Sequence, residues 1–484
     1  MGSNGPYGLP KEEVIKRFNE YTVAVYGFGK MGQPIGGVFA KHGAKVIAVD
    51  IDKRIVEAVN EGKATVDEPI ELDGNVVSLT EAFSKFVAEG RLKATTNAIE
   101  AAKEADIHVV IVPTLLKEGF YPDLSALKDV TKKISKGLKD GDLVIVESTV
   151  PPGTMKEVVY PILKRSKKEF GLAYSPERTY SGRVTFDIEK RYPKIVGSDD
   201  PKALEAASGI YSVISEKGVI ELPSRIEAEV TKVFEGVYRD VNIALANELA
   251  KACEELGCDF YRIRYAANSQ PYSHIHLPGA GVGGHCIPVY PRFLIYSLKN
   301  NRLELTRLAR EINRYDAPKR VVDLMLRASY MAGVVPKRVI IMGLAYRGGV
   351  KEMRYSPTLR ILEELEELGI KPYLYDPMRT KEEIKELKKR VPILKTVYKT
   401  YTNDLNDVLN RIRKIRIVVL VTNHKEVDEF LERMPVDRKG AIVDARVMQH
   451  YDGEKDVTIE KLRNVLKSGR VIYARLGSKP VRMP

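Results

Sequence analysis

TVAVYGFGKMGQPIGGVFAKHGAKVIAVDID, Thr22–Asp52, decides the fold. It reads as strand, turn, helix, strand. Val23 and Val25 belong to a short β-branched apolar run, and Gly27-Phe28-Gly29-Lys30-Met31-Gly32 follows at once. A helical pattern then runs to His42, Gly43 ends it, and VIAVD supplies the second strand. Each glycine of such a unit has its own reason: Gly27 for the tight turn, Gly29 to let the backbone approach a pyrophosphate, Gly32 to let helix and strand pack closely. The helix N-terminus offers free N–H groups and partial positive charge to phosphates. Asp50, ending the second strand, can accept from ribose hydroxyls and repels a 2′-phosphate, which favours NAD over NADP, although Lys53 and Arg54 stand nearby. The strand before, the helix after and the acid at the right distance together select a dinucleotide site over an ordinary glycine turn. The expected cofactor set is Gly27, Phe28, Gly29, Met31, Gly32, Asp50 and Arg54. Thr114, Ser148 and Thr149 join it, with Glu147 also placed to line the cofactor crevice, from the loops after two further strand patterns, IHVVIVP (Ile107–Pro113) and DLVIVESTVPPGT (Asp142–Thr154). In an open parallel sheet, loops at strand C-ends face the ligand; the competing role for Ser and Thr there is helix capping.

The pattern restarts late in the chain. VPKRVIIMGLAYRGG (Val335–Gly349) and SPTLRILEELEELGIKPYLYDP (Ser356–Pro377) repeat strand, turn, helix and strand, keeping Gly343 and an acid, Asp376, but not the later glycines. IRIVVLVTN (Ile415–Asn423) and AIVDAR (Ala441–Arg446) add strands. Between the two blocks, Ser224–Gly257 reads as one long helix opened by Ser224 and closed by Gly257. Ile226, Val230, Val233, Phe234, Val237, Val241 and Leu245 make its apolar stripe. The expected fold is therefore α/β: two Rossmann-like doubly wound domains joined by a helical middle domain with a long central helix. The boundaries fall at 1–213 for an NAD-binding domain, 214–320 for the helical domain and 321–484 for a second Rossmann-like domain, with EINRYDAPKR (Glu311–Arg320) at the last junction. A long helix apolar on more than one face often joins subunits, so a homodimer or higher homo-oligomer is expected. A monomeric mass in light scattering would refute it.

Composition narrows the class. With 484 residues, 44% apolar and 30% charged, the chain has enough material for two or three well-filled cores. It contains no run of about 18 uncharged apolar residues, so no membrane span is expected. The first twenty residues hold no apolar signal-peptide core, which points to the cytoplasm. Three cysteines, Cys253, Cys258 and Cys286, suit a reducing compartment. Cys253 and Cys258 fall in the helical pattern and read as buried fillers. The net charge of +13 is interspersed with acids, as in Lys381–Arg390, and no stacked aromatics accompany it, which argues against nucleic acid.

Cys286 is different, because GAGVGGHCIPVYP (Gly279–Pro291) has few side chains to bury it. A thiolate beside a nicotinamide domain suggests aldehyde oxidation: sulfur adds to the carbonyl, a hydride leaves, and water cleaves the thioester. Glycines around it leave room for substrate, offer N–H groups to an oxyanion and can lower the thiol pKa. The alternative is a structural cysteine in a tight turn. A zinc site from His274, His276, His285 and Cys286 is disfavoured by spacing, so no metal is expected.

Taken together, GFGKMG, STVPPGT, SPER, the EVTK…NELAK helix, GVGGHCIP, GLAYR…SPTLRILEEL, VTNH and VDAR resemble the UDP-glucose/GDP-mannose dehydrogenases over nearly the whole chain. SPER and GVGGHCIP are nearer the branch acting on UDP-N-acetylhexosamines. The resemblance implies an NAD-dependent four-electron oxidation of a sugar C6 alcohol to a carboxylate. The sugar nucleotide it best implies is UDP-N-acetylmannosamine, with UDP-N-acetylglucosamine or UDP-glucose as alternatives; a non-catalytic nucleotide-sugar or NAD-binding regulator is the alternative of another class. It assigns Cys286 as nucleophile, Glu177 as the acid that helps activate water, Thr149 as the residue positioning that water, and Lys232 as the cation for the alkoxide or oxyanion. Arg354, with Tyr346 and Arg347, would hold the nucleotide sugar, and the substrate set is completed by Glu177, Arg178, Lys232, Gly283 and His285. The last domain would bind UDP rather than a second NAD. Two positions depart from the family pattern: Gly236 stands where it has Asn, and Tyr290 where it has Asp. Both bear on proton handling in the first oxidation, and Gly236 also costs a helix interior about 1 kcal/mol relative to Ala.

Overall fold

The computed structural model describes residues 5–180, 182–298, 302–435 and 439–481. The chain divides into two units, Met1–Glu235 with Arg292–Asn301, and Gly236–Pro291 with Arg302–Pro484. In the first, eight strands form one sheet: β1 Thr22–Tyr26, β2 Lys45–Val49, β3 Leu92–Thr95, β4 Ile107–Val110, β5 Leu143–Val146, β6 Gly171–Tyr174, β7 Lys194–Gly197 and β8 Val219–Leu222. Their order is β3-β2-β1-β4-β5-β6-β7-β8. β7 runs antiparallel to β6, and every other neighbouring pair is parallel. The strand order reverses between β1 and β4, where an open α/β sheet forms its ligand crevice.

The near-continuous apolar strands follow from burial on both faces. Side chains alternate along each strand, so Val23, Val25, Ile107, Val109 and Ile145 enter one core while Ala24, Tyr26, Val110, Val144 and Val146 enter the other. The second unit repeats the scheme with five parallel strands: β9 Arg338–Met342, β10 Lys371–Tyr375, β11 Ile417–Leu420, β12 Gly440–Asp444 and β13 Val471–Arg475. Their order, β10-β9-β11-β12-β13, reverses between β9 and β11. Val339, Ile341, Val419 and Val443 face one core, and Ile340, Met342, Val418 and Ile442 the other.

Five helices carry or flank the candidate residues of the two units: α1 Gly32–Lys41, α2 Pro201–Ile214, α3 Arg225–Leu256, α4 Tyr290–Ser297 and α5 Pro357–Glu367. α3 begins and ends where the sequence places it. The Ser224 hydroxyl accepts from the Glu227 N–H at 3.3 Å, and Gly257, at φ 78°, turns the chain out of the helix. The apolar stripe of α3 is split: Val233 at one edge is buried, while Ile226, Phe234 and Leu245 are exposed. Cys253 is a buried filler as expected, but Cys258 is not a helical residue. It follows Gly257, is half-buried, and its Sγ lies 3.6 Å from the Cys253 carbonyl. The left-handed turn at Gly257 takes it off the helix. No described helix is long and apolar enough to cross a membrane.

Candidate active site

The turn after β1 has the geometry its glycines predict. Gly27 lies at φ 92°, and a Cβ there would sit 2.7 Å from the Ile111 carbonyl oxygen. A Cβ on Gly32 would strike the Gly27 carbonyl. At Gly29 a Cβ would meet nothing within 4 Å. Two glycines are thus required by close packing, and the third faces open space at the N-terminal end of α1, where a pyrophosphate needs room. This cradle fits NAD. The Phe28 ring is fully buried, stacked on Phe83 at 6.0 Å, so only its backbone can serve a cofactor. Met31 packs partly buried against the same core. Asp50 is half-buried and accepts from the Asp52 N–H at 2.9 Å. The Arg54 guanidinium is folded back onto Asp52, at 3.0 and 2.6 Å. After β4 and β5, the Thr114 hydroxyl donates to the Thr149 carbonyl, and the buried Ser148 hydroxyl donates to the Val112 carbonyl at 2.7 Å. Neither hydroxyl caps a helix. The turn after Thr149 is capped instead by Glu229, whose carboxylate accepts from the Gly153 and Met155 N–H groups at 2.8 Å each.

The loop after β6 carries Glu177 and Arg178. Glu177 is 8% exposed. Its Oε1 accepts from the N–H groups of Arg178 and Thr179, both at 2.6 Å, and its Oε2 lies 3.3 Å from Lys194 Nζ. Burial raises its pKa, but Lys194, the Thr179 hydrogen bonds and the charge of Lys232 outweigh that and hold it below the ordinary glutamate value. Glu177 is therefore kept as a carboxylate. Lys232, on α3, is buried at 6% exposure. Arg178 pairs with Glu235 at 2.7 Å and lies over the Tyr192 ring at 5.1 Å.

In the second unit, the cysteine loop and the segment after β9 fold onto each other. The Gly284 N–H donates to the Arg354 carbonyl at 2.8 Å. A Cβ on Gly283 would lie 2.6 Å from Tyr346 Cβ and 2.9 Å from the Tyr355 carbonyl. Arg347 Nε lies 3.2 Å from the Tyr346 hydroxyl. His285 Nδ1 faces Glu352 at 4.0 Å, and Glu352 accepts from the Arg354 N–H at 3.0 Å. The loop that carries Gly283, His285 and Cys286 thus packs against the segment that carries Tyr346, Arg347 and Arg354, far away in sequence. The thiol residue is half-buried, and its carbonyl accepts from the N–H groups of Val289 and Tyr290 at 3.0 and 3.1 Å, which anchors it at the start of α4. No described group of three or more His, Cys, Asp or Glu residues is arranged to hold a metal.

The turn after β9 differs from its counterpart after β1. Asp376, buried at 1% exposure, accepts from the Leu344 and Ala345 N–H groups at 2.7 and 3.1 Å. The amides that face a phosphate in a dinucleotide turn are spent here on a carboxylate of the chain itself. Burial raises the Asp376 pKa, but His424 and the Leu344 and Met378 N–H groups outweigh that and hold it below the ordinary aspartate value.

Family models match three consecutive stretches of the chain: the NAD binding domain of the UDP-glucose/GDP-mannose dehydrogenase family at residues 21–215, its central domain at 226–315 and its UDP binding domain at 340–450. The UDP-N-acetyl-D-mannosamine dehydrogenase of Methanococcus aeolicus is 32% identical over 84% of this chain and 86% of its own length. The chain belongs to the UDP-glucose/GDP-mannose dehydrogenase family. The enzyme of the same name from Pyrococcus horikoshii is 34% identical over 73% of this chain and 83% of its own. A solved structure of the UDP-D-ManNAc dehydrogenase from that organism superposes with a TM-score of 0.76 at 28% identity, covering 94% of this chain and 99% of that one. This family member is accordingly an NAD-dependent nucleotide-sugar dehydrogenase with a UDP-binding domain.

The resemblance named Glu177 and Lys232 in the first unit. It did not reach the residues that surround Glu177. Lys194, Glu147 and Tyr211 are spread over β7, the end of β5 and α2, with no shared spacing. The one available signal was Lys194 itself, a charge opening the apolar run KIVG.

Proposed function

We propose that the chain oxidises C6 of UDP-N-acetylmannosamine from alcohol to carboxylate, consuming two NAD and one water per sugar. Bound NAD supplies the hydride acceptor for both oxidations. Lys232 stabilises the alkoxide that forms as the alcohol loses its proton. The Cys286 thiolate adds to the aldehyde carbon, giving a thiohemiacetal and then, after loss of the second hydride, a thioester. Glu177, held ionised, takes a proton from water as the water attacks the thioester, and Thr149 orients that water. Cleavage of the C–S bond returns the thiolate. Tyr346, Arg347, Arg354, His285 and Gly283 hold the nucleotide sugar, with Arg178 on the first unit. The roles divide as NAD binding over 1–213, a helical and dimer-forming part over 214–320, and UDP-sugar binding over 321–484, in a cytoplasmic homodimer.

The observation that supports this reading is the packing of the loop that carries a half-buried Cys286 against Tyr346–Arg354. The relatives' names support the mannosamine configuration. The test is NADH production on UDP-N-acetylmannosamine, UDP-N-acetylglucosamine and UDP-glucose at equal concentration. The expected result is two NADH per sugar, fastest on the first. One NADH per sugar would remove the thioester, and a preference for either other sugar would remove the substrate assignment.

A further inference from the structure

Glu177 does not stand alone. Lys194 Nζ lies 3.3 Å from Glu177 Oε2 and 3.5 Å from Glu147 Oε2. The Tyr211 hydroxyl donates to Glu147 Oε1, and the Lys194 ammonium sits over the Tyr211 ring, 4.7 Å from its centroid. All four residues are at most 8% exposed. They come from four elements: β5 ends before Glu147, β6 before Glu177, β7 begins at Lys194, and α2 carries Tyr211. Two carboxyls, an ammonium and a phenol are therefore closed off from water together.

We propose that Lys194 is a positioning residue for Glu177, held from behind by Glu147 and Tyr211, so that Glu177 meets the substrate as a carboxylate of fixed direction. This rests on the reading that Glu177 serves the reaction. Oε1 of Glu177 is spent on two backbone N–H groups, and Oε2 is turned to the Lys194 ammonium, with the charge of Lys232 also acting on the group. A buried carboxylate without its cation takes up a proton instead of staying charged. Burial raises the Glu147 carboxyl to about 7, against the pull of Lys194 and with the push of Glu177. Of the two carboxyls Glu147 is the one that takes up a proton more readily, since Glu177 is held below the ordinary value, and this favours Lys194 as the partner of Glu177. Burial lowers Lys194, but Glu147 and Glu177 outweigh it and keep the ammonium charged. Besides these, Lys232, Tyr192 and Tyr211 face Glu177.

The experiment compares kcat and its pH profile for wild type, Lys194→Met, Lys194→Arg and Glu177→Gln, using whichever of the three UDP-sugars is turned over. Lys194→Met should lower kcat at pH 7 about tenfold or more, leave the sugar KM within about twofold, and move the acidic limb of the kcat profile up by about one pH unit or more. Activity then returns as pH rises, because Glu177 ionises later. Lys194→Arg keeps the charge and should keep the limb in place. Should Lys194→Met fail to melt cooperatively, Lys194→Met/Glu147→Gln, which buries one charge fewer, should show the same upward shift. A wild-type kcat and limb in a Lys194→Met protein, alongside an inactive Glu177→Gln protein, would overturn the proposal and leave the role of Glu177 standing. Wild-type activity in Glu177→Gln would overturn that role instead.

Discussion

Cys286→Ala loses NADH formation by about a thousandfold or more while still binding the UDP-sugar. No other thiol can take over. Cys253 is buried, and burial together with Cys258 pushes its thiol up to about 11; Cys258 is turned to the Cys253 carbonyl. The substitution removes one sulfur from a half-buried loop position, so its melting temperature should stay close to wild type. Cys286→Ser should be nearly as inactive, because an alkoxide is far harder to form than a thiolate at neutral pH. Steady-state NADH rates and calorimetric titration with the nucleotide sugar check both halves. A Cys286→Ala rate near wild type would end the covalent route and leave direct hydride removal from an aldehyde hydrate.

The second large effect concerns Gly236. A Cβ at this position would lie 2.8 Å from Tyr290 Cβ and 3.0 Å from Tyr290 Cγ. Those atoms stand at the root of the side chain, so rotating the ring does not relieve the clash; the first turn of α4 has to shift. Gly236→Ala should therefore lose up to about 2 kcal/mol, the overpacking cost of about 1–3 offsetting or exceeding the roughly 1 kcal/mol that alanine gains over glycine in a helix. In a Tyr290→Ala background the clash is gone and the same substitution should stabilise by roughly 1 kcal/mol. Thermal melts of the four proteins test this reversal of sign, and a gain in both backgrounds would disprove the packing account. Activity should fall with stability. The Tyr290 N–H is bonded to the Cys286 carbonyl, so moving α4 moves the nucleophile, and a misplacement of about 1 Å can cost about a hundredfold. Gly236 and Tyr290 are thus a single packing solution: a ring at 290 requires a glycine at 236.

How far the sequence went can be judged from particular residues. Thr22–Asp52 was readable because its glycines serve local needs, a turn and two close approaches, within one strand–helix–strand unit. α3 was readable to the residue because Ser224 and Gly257 punctuate it. Gly171–Tyr174 and Lys194–Gly197 were not read as strands, since four residues are too few to display a period. Lys194 also looks like a surface charge until the sheet closes around it. Glu147 was read as lining the cofactor crevice, whereas it is 1% exposed and paired inward with Tyr211 and Lys194. Tertiary constellations of this kind carry no spacing rule. Gly236 and Tyr290 were each visible as substitutions, but only the fold makes them neighbours.

The carboxylate of Asp376 seals the second glycine turn and leaves one dinucleotide cradle among the described residues of each chain. On the proposed reaction, two hydrides must then depart through a single berth, so the spent coenzyme has to be exchanged for fresh oxidant halfway through. During that exchange the half-oxidised sugar is a reactive aldehyde with an open door beside it. A sulfur that grips it covalently does more than chemistry: it is a mooring line, and it lets one berth serve where two would otherwise be needed.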